Sequence, residues 1–357
     1  MAERIMMKGN EAFAEGAIKA GCRFFFGYPI TPQNEIPEYM SRRMPEVGGT
    51  FIQAESEVSA INMVYGAGGA GARAMTSSSS PGVSLKQEGI SYIAAAEVPC
   101  VIVNVARGGP GLGGLTPSQA DYFQAVKGGG HGDYHMVVFA PASVQEIIDL
   151  MYEAFVTADK YRTPVMVLAD GLLGQMMEPV VLRDWEDLQI PEKPWATTGM
   201  VSGKPQSVIN SLGLAPEELE NLNLRLQKKY RTIEENEVRY EEDGVEDAEL
   251  IIVAYGTSAR VSKSAIAKAR AEGKKVGLFR PITLWPFPSK RLAELAEAGK
   301  RFMAVEMSAG QMIEDVKLAV NGKTEVEFYG RYNGAIPSVT EVYQAIIKSF
   351  DNREVQK

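Results

Sequence analysis

Residues 24–32, Phe24-Phe25-Phe26-Gly27-Tyr28-Pro29-Ile30-Thr31-Pro32, are an apolar run that ends in a glycine and two prolines. The phenylalanines predict a short buried strand, and the residues after them predict a loop at its carboxyl end. Further apolar runs that predict strands lie at residues 50–52, 74–76, 99–105, 136–139 and 164–168. Helical patterns separate the strands at residues 10–20, 57–70, 83–96 and 143–159. This alternation predicts an α/β fold with a mostly parallel sheet.

A second block repeats the alternation. Its predicted strands lie at residues 250–255, 275–279, 301–306 and 324–329, and its predicted helices at residues 260–272, 290–298, 311–320 and 338–350. We therefore predict two doubly wound domains, at residues 1–185 and 249–357, joined by a polar linker at residues 186–248.

The linker contains one helical pattern, because Leu219, Leu222, Leu226 and Tyr230 fall at spacings of three and four. Such a helix would either pack on its own chain or act as a docking arm.

Composition excludes several classes of protein. The 357 residues carry 37 Lys and Arg against 45 Asp and Glu, a net charge of −8, without a basic cluster that would attract nucleic acid or anionic lipid. Two cysteines, Cys22 and Cys100, lie far apart and predict neither a disulfide framework nor an iron-sulfur cluster in this chain. No signal peptide or membrane span is predicted, so we expect a cytoplasmic protein.

The glycines at residues 66–71 do not predict a dinucleotide site. Such a loop follows a strand and opens a helix, whereas these glycines end a predicted helix and lead into a strand.

Glu57 lies 26 residues after Thr31, in the first turn of a predicted helix. Thiamine enzymes use a rigid, desolvated carboxylate to bind the aminopyrimidine ring nitrogen of the cofactor, and this position would provide one. Glu57 could equally complement the positive end of the helix dipole. Its position alone leaves both interpretations open.

Five motifs carry a family resemblance. Residues 27–32, Glu57 in its Ser-Glu context, residues 76–82 and residues 105–110 resemble the alpha-type subunit of the 2-oxoacid:ferredoxin oxidoreductases. Residues 279–288 resemble the transketolase carboxy-terminal-like domain of that family. The resemblance covers the chain except for the linker, and implies that the first domain is of the thiamine diphosphate pyrimidine-binding type.

The resemblance also implies roles for individual residues. Glu57, Tyr28, Pro29 and Ile30 would bind the cofactor, and Glu57 and Thr31 would be catalytic. Thr31 would contact the oxoacid, and Arg107 would hold its carboxylate, for which a guanidinium fork is suited. Without the resemblance, Arg107 could be a surface charge.

Two loops are weaker candidates for substrate contacts. Leu112 follows Arg107 closely, and His131 lies in the glycine-rich residues 128–133. We consider both as members of a substrate loop, although His131 could equally be an ordinary loop histidine.

The chain lacks the other half of a thiamine site. Residues 169–172, Ala-Asp-Gly-Leu, have neither the first glycine of a Gly-Asp-Gly motif nor a suitable asparagine downstream, and we predict no metal site. The resemblance implies that a beta-type subunit holds the diphosphate, Mg²⁺ and iron-sulfur clusters. Gamma-type or small ferredoxin-like subunits, ferredoxin, and coenzyme A as co-substrate would complete the reaction.

We expect oxidative decarboxylation of a 2-oxoacid, with 3-methyl-2-oxobutanoate favoured over 2-oxoglutarate and pyruvate. A dicarboxylate would need a second cation, for which Arg73, Lys86 and Lys127 are candidates. A ferredoxin-independent thiamine enzyme of the transketolase or dehydrogenase type, or a non-catalytic assembly subunit, is the alternative.

Overall fold

The computed structural model describes residues 4–182, 188–200, 203, 205–332 and 334–354. All six strands predicted for the first block form. The strands of this block are β1 (Ile5–Lys8), β2 (Phe24–Gly27), β3 (Thr50–Gln53), β4 (Ala74–Ser78), β5 (Cys100–Ala106), β6 (Val137–Phe139), β7 (Pro164–Asp170) and β8 (Met177–Val180). The helices are α1 (Gly9–Lys19), α2 (Glu35–Glu46), α3 (Glu57–Gly69), α4 (Pro81–Ala95), α5 (Tyr122–Val126), α6 (Val144–Tyr161) and α7 (Gly171–Gln175).

The rest of the chain also alternates strands with helices. Its elements are α8 (Pro216–Asn236), β9 (Tyr240–Asp243), β10 (Leu250–Val253), α9 (Gly256–Ala271), β11 (Val276–Pro281), β12 (Thr283–Trp285), α10 (Ser289–Glu297), β13 (Arg301–Glu306), α11 (Met312–Val320), β14 (Val326–Gly330) and α12 (Val339–Glu354). The α/β prediction is therefore confirmed.

The first sheet has seven strands in the order β12-β6-β7-β5-β4-β2-β3. The pairs from β6 to β3 are parallel, whereas β12 is antiparallel to β6. The connections of β2 and β4 leave toward opposite sides of the sheet. This change of direction opens a crevice at the carboxyl ends of both strands, where open α/β sheets bind ligands.

The second sheet has the order β14-β13-β10-β11-β9, and only its edge strand β9 is antiparallel. β9 belongs to residues 186–248, which we predicted as a linker, and its sequence Tyr-Glu-Glu-Asp gives no strand signal. The two blocks thus share strands: residues 186–248 contribute β9 to the second sheet, and residues 249–357 contribute β12 to the first.

Helix α8 packs on its own chain. Leu226, Tyr230 and Ile233 are buried, and the Tyr230 ring meets the edge of Trp285 with ring centres 5.7 Å apart. The predicted amphipathic helix therefore covers the body of the protein with its apolar stripe.

Gln119 joins the two blocks through buried hydrogen bonds. Its side chain donates to the Tyr255 carbonyl at 2.9 Å and accepts from the Ser258 hydroxyl at 2.7 Å and the Met307 amide at 2.9 Å. The backbone amide of Gln119 donates to the Met307 carbonyl at 2.9 Å. One amide side chain thus satisfies groups at the carboxyl ends of β10 and β13.

Within the part of the chain that is described, no helix combines the length and the apolar character needed to cross a bilayer.

Candidate active site

The predicted cofactor loop follows β2 directly. Pro29 and Thr31 are exposed, Tyr28 and Ile30 are half-buried, and the buried Gln33 accepts a hydrogen bond from the Ser77 hydroxyl at 2.5 Å. Gln33 also donates to the Tyr28 carbonyl at 3.3 Å. Because Ser77 belongs to β4, this contact fixes the loop across the crevice between the two strands.

Glu57 is the first residue of α3 and is only 6% exposed. Ser56 caps the helix by accepting from the Ser59 amide at 3.2 Å. The carboxylate lies against Gly82 at the start of α4: a β-carbon there would be 2.7 Å from Glu57 Oε1 and 2.1 Å from Ser78 Oγ. Any residue other than glycine at position 82 would therefore clash with the Glu57 carboxylate and with Ser78.

Lys86 lies near Glu57 and is fully buried. Burial lowers the pKa of its ammonium to about 8, and the negative charge of Glu57 partly opposes that change. Nζ has no hydrogen-bond partner among the described residues.

Arg107 follows β5 and is held by two backbone carbonyls. Nη1 donates to the Thr31 carbonyl at 2.9 Å, and Nη2 donates to the Leu112 carbonyl at 2.9 Å. The side chain is 5% exposed, and Nε has no partner among the described residues. The guanidinium is therefore fixed beside Thr31 with hydrogen-bonding capacity left for an anion.

Buried polar groups position the backbone of Arg107. The Ser80 hydroxyl accepts from the Arg107 amide at 2.9 Å and donates to Asp121 at 2.7 Å. Asn104 donates to the same carboxylate at 2.8 Å. Burial raises the pKa of Asp121, although the hydrogen bonds from Ser80 and Asn104 and the charge of Arg107 act against this.

The loop that carries Leu112 is closed at its base. The Gly108 amide donates to the Thr116 carbonyl at 2.8 Å, and the Gly114 amide donates to the Gly108 carbonyl at 2.8 Å. The Leu112 side chain is 84% exposed, while its carbonyl accepts from Arg107. The structure therefore brings the predicted Leu112 loop to the site.

His131 lies elsewhere. It is exposed and lines a cavity of about 280 Å³ formed by the carboxyl-terminal half of α4 and by α8. Glu57, Thr31 and Arg107 are not among the residues that line this cavity.

Of the three candidate second cations, Lys86 lies near enough to Glu57 for the negative charge of Glu57 to act on its pKa. Arg73 lies at the amino-terminal end of β4, whereas Glu57 and Arg107 follow the carboxyl ends of strands. It forms a buried ion pair with Asp159 at 2.7 Å. Lys127 forms an ion pair with Asp315.

Asp170 has a structural role. It accepts from the Leu172 and Leu173 amides at 3.0 and 3.2 Å, which caps α7, and burial raises its pKa. Among the residues described, no group of three or more His, Cys, Asp or Glu side chains could hold a metal ion.

Buried polar atoms without partners occur on and just after β4, on α4 and directly after β5. Besides Lys86 Nζ and Arg107 Nε, the hydroxyls of Thr76, Ser78 and Ser79 lack a hydrogen-bond partner among the described residues. Because buried polar groups normally have partners, this group indicates a polar ligand, and an aminopyrimidine ring with donors and acceptors fits it.

Sequence reasoning missed the residues that support the site. Asn104 gave the one usable signal, a polar side chain inside an apolar strand. Nothing in the sequence links Gln33 to Ser77 or Asp121 to Ser80, because these contacts depend on the packing of loops.

Two family models together match most of the chain. Residues 15–236 match the family model of pyruvate flavodoxin/ferredoxin oxidoreductase, thiamine diphosphate-binding, and residues 248–342 match pyruvate:ferredoxin oxidoreductase core domain II. The chain is 55% identical to ketoisovalerate oxidoreductase subunit VorB of Methanothermobacter marburgensis, over 96% of both chains. It is 38% identical to 2-oxoglutarate synthase subunit KorA of Methanocaldococcus jannaschii, over 96% of this chain and 98% of the relative.

Solved structures show the same architecture. The 2-oxoglutarate:ferredoxin oxidoreductase of Magnetococcus marinus, solved with 2-oxoglutarate, coenzyme A and succinyl-CoA, superposes with a TM-score of 0.86 at 27% identity over 97% of this chain. The chain spans 65% of the length of that protein. A split gene transketolase superposes with a TM-score of 0.59 at 13% identity, over 97% of this chain and 98% of that one, which shows the fold alone.

Proposed function

The chain belongs to the thiamine diphosphate-binding pyruvate flavodoxin/ferredoxin oxidoreductase family, and we propose that it forms the aminopyrimidine and substrate side of a branched-chain 2-oxoacid oxidoreductase. The observation that carries the proposal is the buried carboxylate of Glu57. Like Arg107, it follows the carboxyl end of a strand of the first sheet, and buried polar atoms without hydrogen-bond partners lie on neighbouring elements.

Some of the site residues would bind the cofactor and others the substrate. Glu57 would bind the aminopyrimidine ring nitrogen, and residues 28–30 would line the ring. When bound, thiamine diphosphate would supply a nucleophilic carbon for the 2-oxo group and a cationic ring that acts as the electron sink for decarboxylation. Arg107 would hold the substrate carboxylate, and the exposed Thr31 hydroxyl would donate to the oxyanion that develops on the attacked carbonyl.

The proposed complex has further subunits. Apolar side chains are exposed beside the site, at Val58 next to Glu57, at Leu85 next to Lys86 and at Leu112. A beta-type subunit that carries the diphosphate, Mg²⁺ and iron-sulfur clusters would cover them, since exposed apolar surface beside a half-site favours a partner. Gamma-type or small ferredoxin-like subunits would pass electrons to ferredoxin, and coenzyme A would take the acyl group.

The favoured substrate is 3-methyl-2-oxobutanoate. The 55% identity to a ketoisovalerate oxidoreductase subunit supports this choice over 2-oxoglutarate, whose relative is 38% identical. Charge supports it as well. A second substrate carboxylate would need a cation beyond Arg107, and Lys86, the cation beside the site, already faces the negative charge of Glu57. Rates on 3-methyl-2-oxobutanoate, 2-oxoglutarate and pyruvate, measured with the complete complex, test the order.

Glu57→Gln tests the catalytic role. In the complex with its partner subunits, the variant should reduce ferredoxin from oxoacid at least roughly a hundredfold more slowly, because the amide cannot exchange a proton with the cofactor ring. Glu55→Gln is the matched control, since Glu55 is exposed two residues earlier. Normal activity of Glu57→Gln would contradict the proposal and favour an assembly subunit.

A further inference from the structure

Asp121 lies at the start of α5, but its carboxylate makes no capping hydrogen bond to that helix. An aspartate at this position usually accepts from the backbone amides of the first turn. Instead, Oδ2 of Asp121 accepts from the Ser80 hydroxyl at 2.7 Å and from the Asn104 side chain at 2.8 Å. The carboxylate is therefore directed away from its own helix and toward residues at the carboxyl ends of β4 and β5.

Ser80 connects Asp121 to Arg107. Its hydroxyl donates to Asp121 and accepts from the Arg107 backbone amide at 2.9 Å. The Ser80 amide donates to the side-chain oxygen of Asn104 at 3.1 Å. Ser80 has φ 25° and ψ −83°, a conformation that non-glycine residues rarely adopt. Because such a backbone persists only where the surrounding structure holds it, these hydrogen bonds fix Ser80 against Arg107.

The second block holds the backbone on both sides of Asp121. The Gln311 side chain donates to the Ala120 carbonyl at 2.7 Å and accepts from the Phe123 amide at 2.8 Å. Gln311 directly precedes α11, and its backbone amide donates at 3.0 Å to Glu306, which is fully buried. The short segment that carries Asp121 is thus attached to a fixed point of the other block.

We propose that Asp121 is a positioning residue that holds Arg107 in the substrate site through Ser80. Gln311 in turn holds the segment of Asp121, so the second block contributes to substrate binding. The inference rests on the proposed function, because it assumes that Arg107 holds the substrate carboxylate. A guanidinium fork pairs with a carboxylate only in a defined geometry. A displaced Arg107 backbone should therefore weaken substrate binding more than it slows the reaction of bound substrate.

Steady-state kinetics of the complete complex test this role. Asp121→Ala removes both hydrogen bonds and should raise KM for 3-methyl-2-oxobutanoate roughly threefold to tenfold. The turnover number kcat should change by less than about twofold, because the lost interaction positions the substrate before reaction. Asp121→Asn keeps an oxygen that can accept from Ser80 and Asn104, and should return KM to within about twofold of the wild-type value. Asp351→Ala, at an exposed position on α12, is the matched control.

Gln311→Leu tests the contribution of the second block and leaves Asp121 itself unchanged. It removes the hydrogen bonds to Ala120 and Phe123 and should raise KM in the same direction as Asp121→Ala, with kcat again nearly constant. An unchanged KM in this variant would overturn the part of the inference that concerns the second block.

A second measurement follows Arg107 in the full-length chain without substrate or partner subunits. NMR spectra of chain labelled with ¹⁵N-arginine give the hydrogen-exchange rate of the Arg107 amide, whose signal disappears in Arg107→Lys. Without the Asp121 contact, Ser80 should hold this amide less firmly, and exchange should become roughly tenfold faster in Asp121→Ala but not in Asp351→Ala.

Three results would overturn the inference about Asp121. These are an unchanged KM in Asp121→Ala, an unchanged exchange rate of the Arg107 amide in that variant, and a KM in Asp121→Asn as high as in Asp121→Ala. Failure of the wild-type complex to oxidise oxoacids would instead reject the proposed function. The exchange rate of Arg107 would still test Asp121 in that case, so the two failures are distinguishable.

Discussion

At the scale of single residues, the site depends on side chains fixed by backbone contacts. Arg107 is held by the carbonyls of Thr31 and Leu112, so its guanidinium cannot turn away when substrate is absent. The Arg107 side chain is therefore already ordered when the protein folds, and substrate binding does not lose the entropy of fixing its guanidinium.

Arg107→Lys should therefore weaken substrate binding more than it slows turnover. A lysine cannot donate to both carbonyls and to a substrate carboxylate, and the loss of a charged hydrogen bond costs about 1.5–3 kcal/mol. This corresponds to a roughly tenfold to hundredfold rise in KM for the oxoacid. Steady-state kinetics of the complete complex measure it, with exposed Arg231→Lys as the control. An unchanged KM would remove Arg107 from the substrate site.

Single residues also show where sequence reasoning ends. The types and positions of Thr31, Glu57 and Arg107 could be predicted, because family motifs contain them. The proximity of Lys86 to Glu57 could not, since the two residues are 29 positions apart and are brought near each other by the packing of α3 on α4.

At the scale of elements, α8 is attached by a narrow apolar stripe. Ile233 is fully buried, whereas Leu224 on the same helix is 61% exposed. Glu97 adds ion pairs to Arg225 at 2.9 Å and Lys229 at 3.2 Å. The helix thus holds the middle of the chain against the first block.

Ile233→Ala should lower the free energy of unfolding by about 2–5 kcal/mol, because it leaves a cavity under α8. Leu224→Ala removes an exposed side chain of the same kind and should change stability by less than about 0.5 kcal/mol. Urea unfolding of both variants provides the measurement. Equal stabilities would mean that α8 does not belong to the cooperative core.

The elements that sequence reasoning missed have identifiable physical causes. α2 contains Pro37 and Pro45 and many charged residues, which obscure its helical pattern. β9 carries three acidic residues because it is an edge strand, and Glu241 and Glu242 pair with Arg280 and Arg291 at 2.7 Å. Long apolar strands buried on both faces, such as β5 and β7, were predictable because their environment requires continuous hydrophobicity.

At the scale of the whole molecule, the two blocks meet through a buried polar interface. Gln119 is central to it, and Tyr122 adds a hydrogen bond to Asp315 at 2.6 Å. Gln119 and Tyr122 follow shortly after the loop that carries Leu112, so the second block supports the chain that forms the site.

Gln119→Leu should destabilise the whole chain by at least about 2 kcal/mol, because the Tyr255 carbonyl and the Met307 amide lose their partners in a buried interface. Calorimetry should show a lower melting temperature. Gln206→Leu, at an exposed position, is the matched control. A variant as stable as wild type would indicate that water replaces the lost contacts.

Strand β12 is synthesised long after β6, the strand that it pairs with in the first sheet. Thr283 of β12 pairs with Phe139 of β6, which lies 144 residues earlier in the chain. A ribosome therefore completes most of the first sheet long before the strand that covers its edge has been made. Until then β6 exposes unpaired N–H and C=O groups, which can template pairing with other chains. The nascent protein thus exposes this strand edge throughout the synthesis of the residues between β6 and β12.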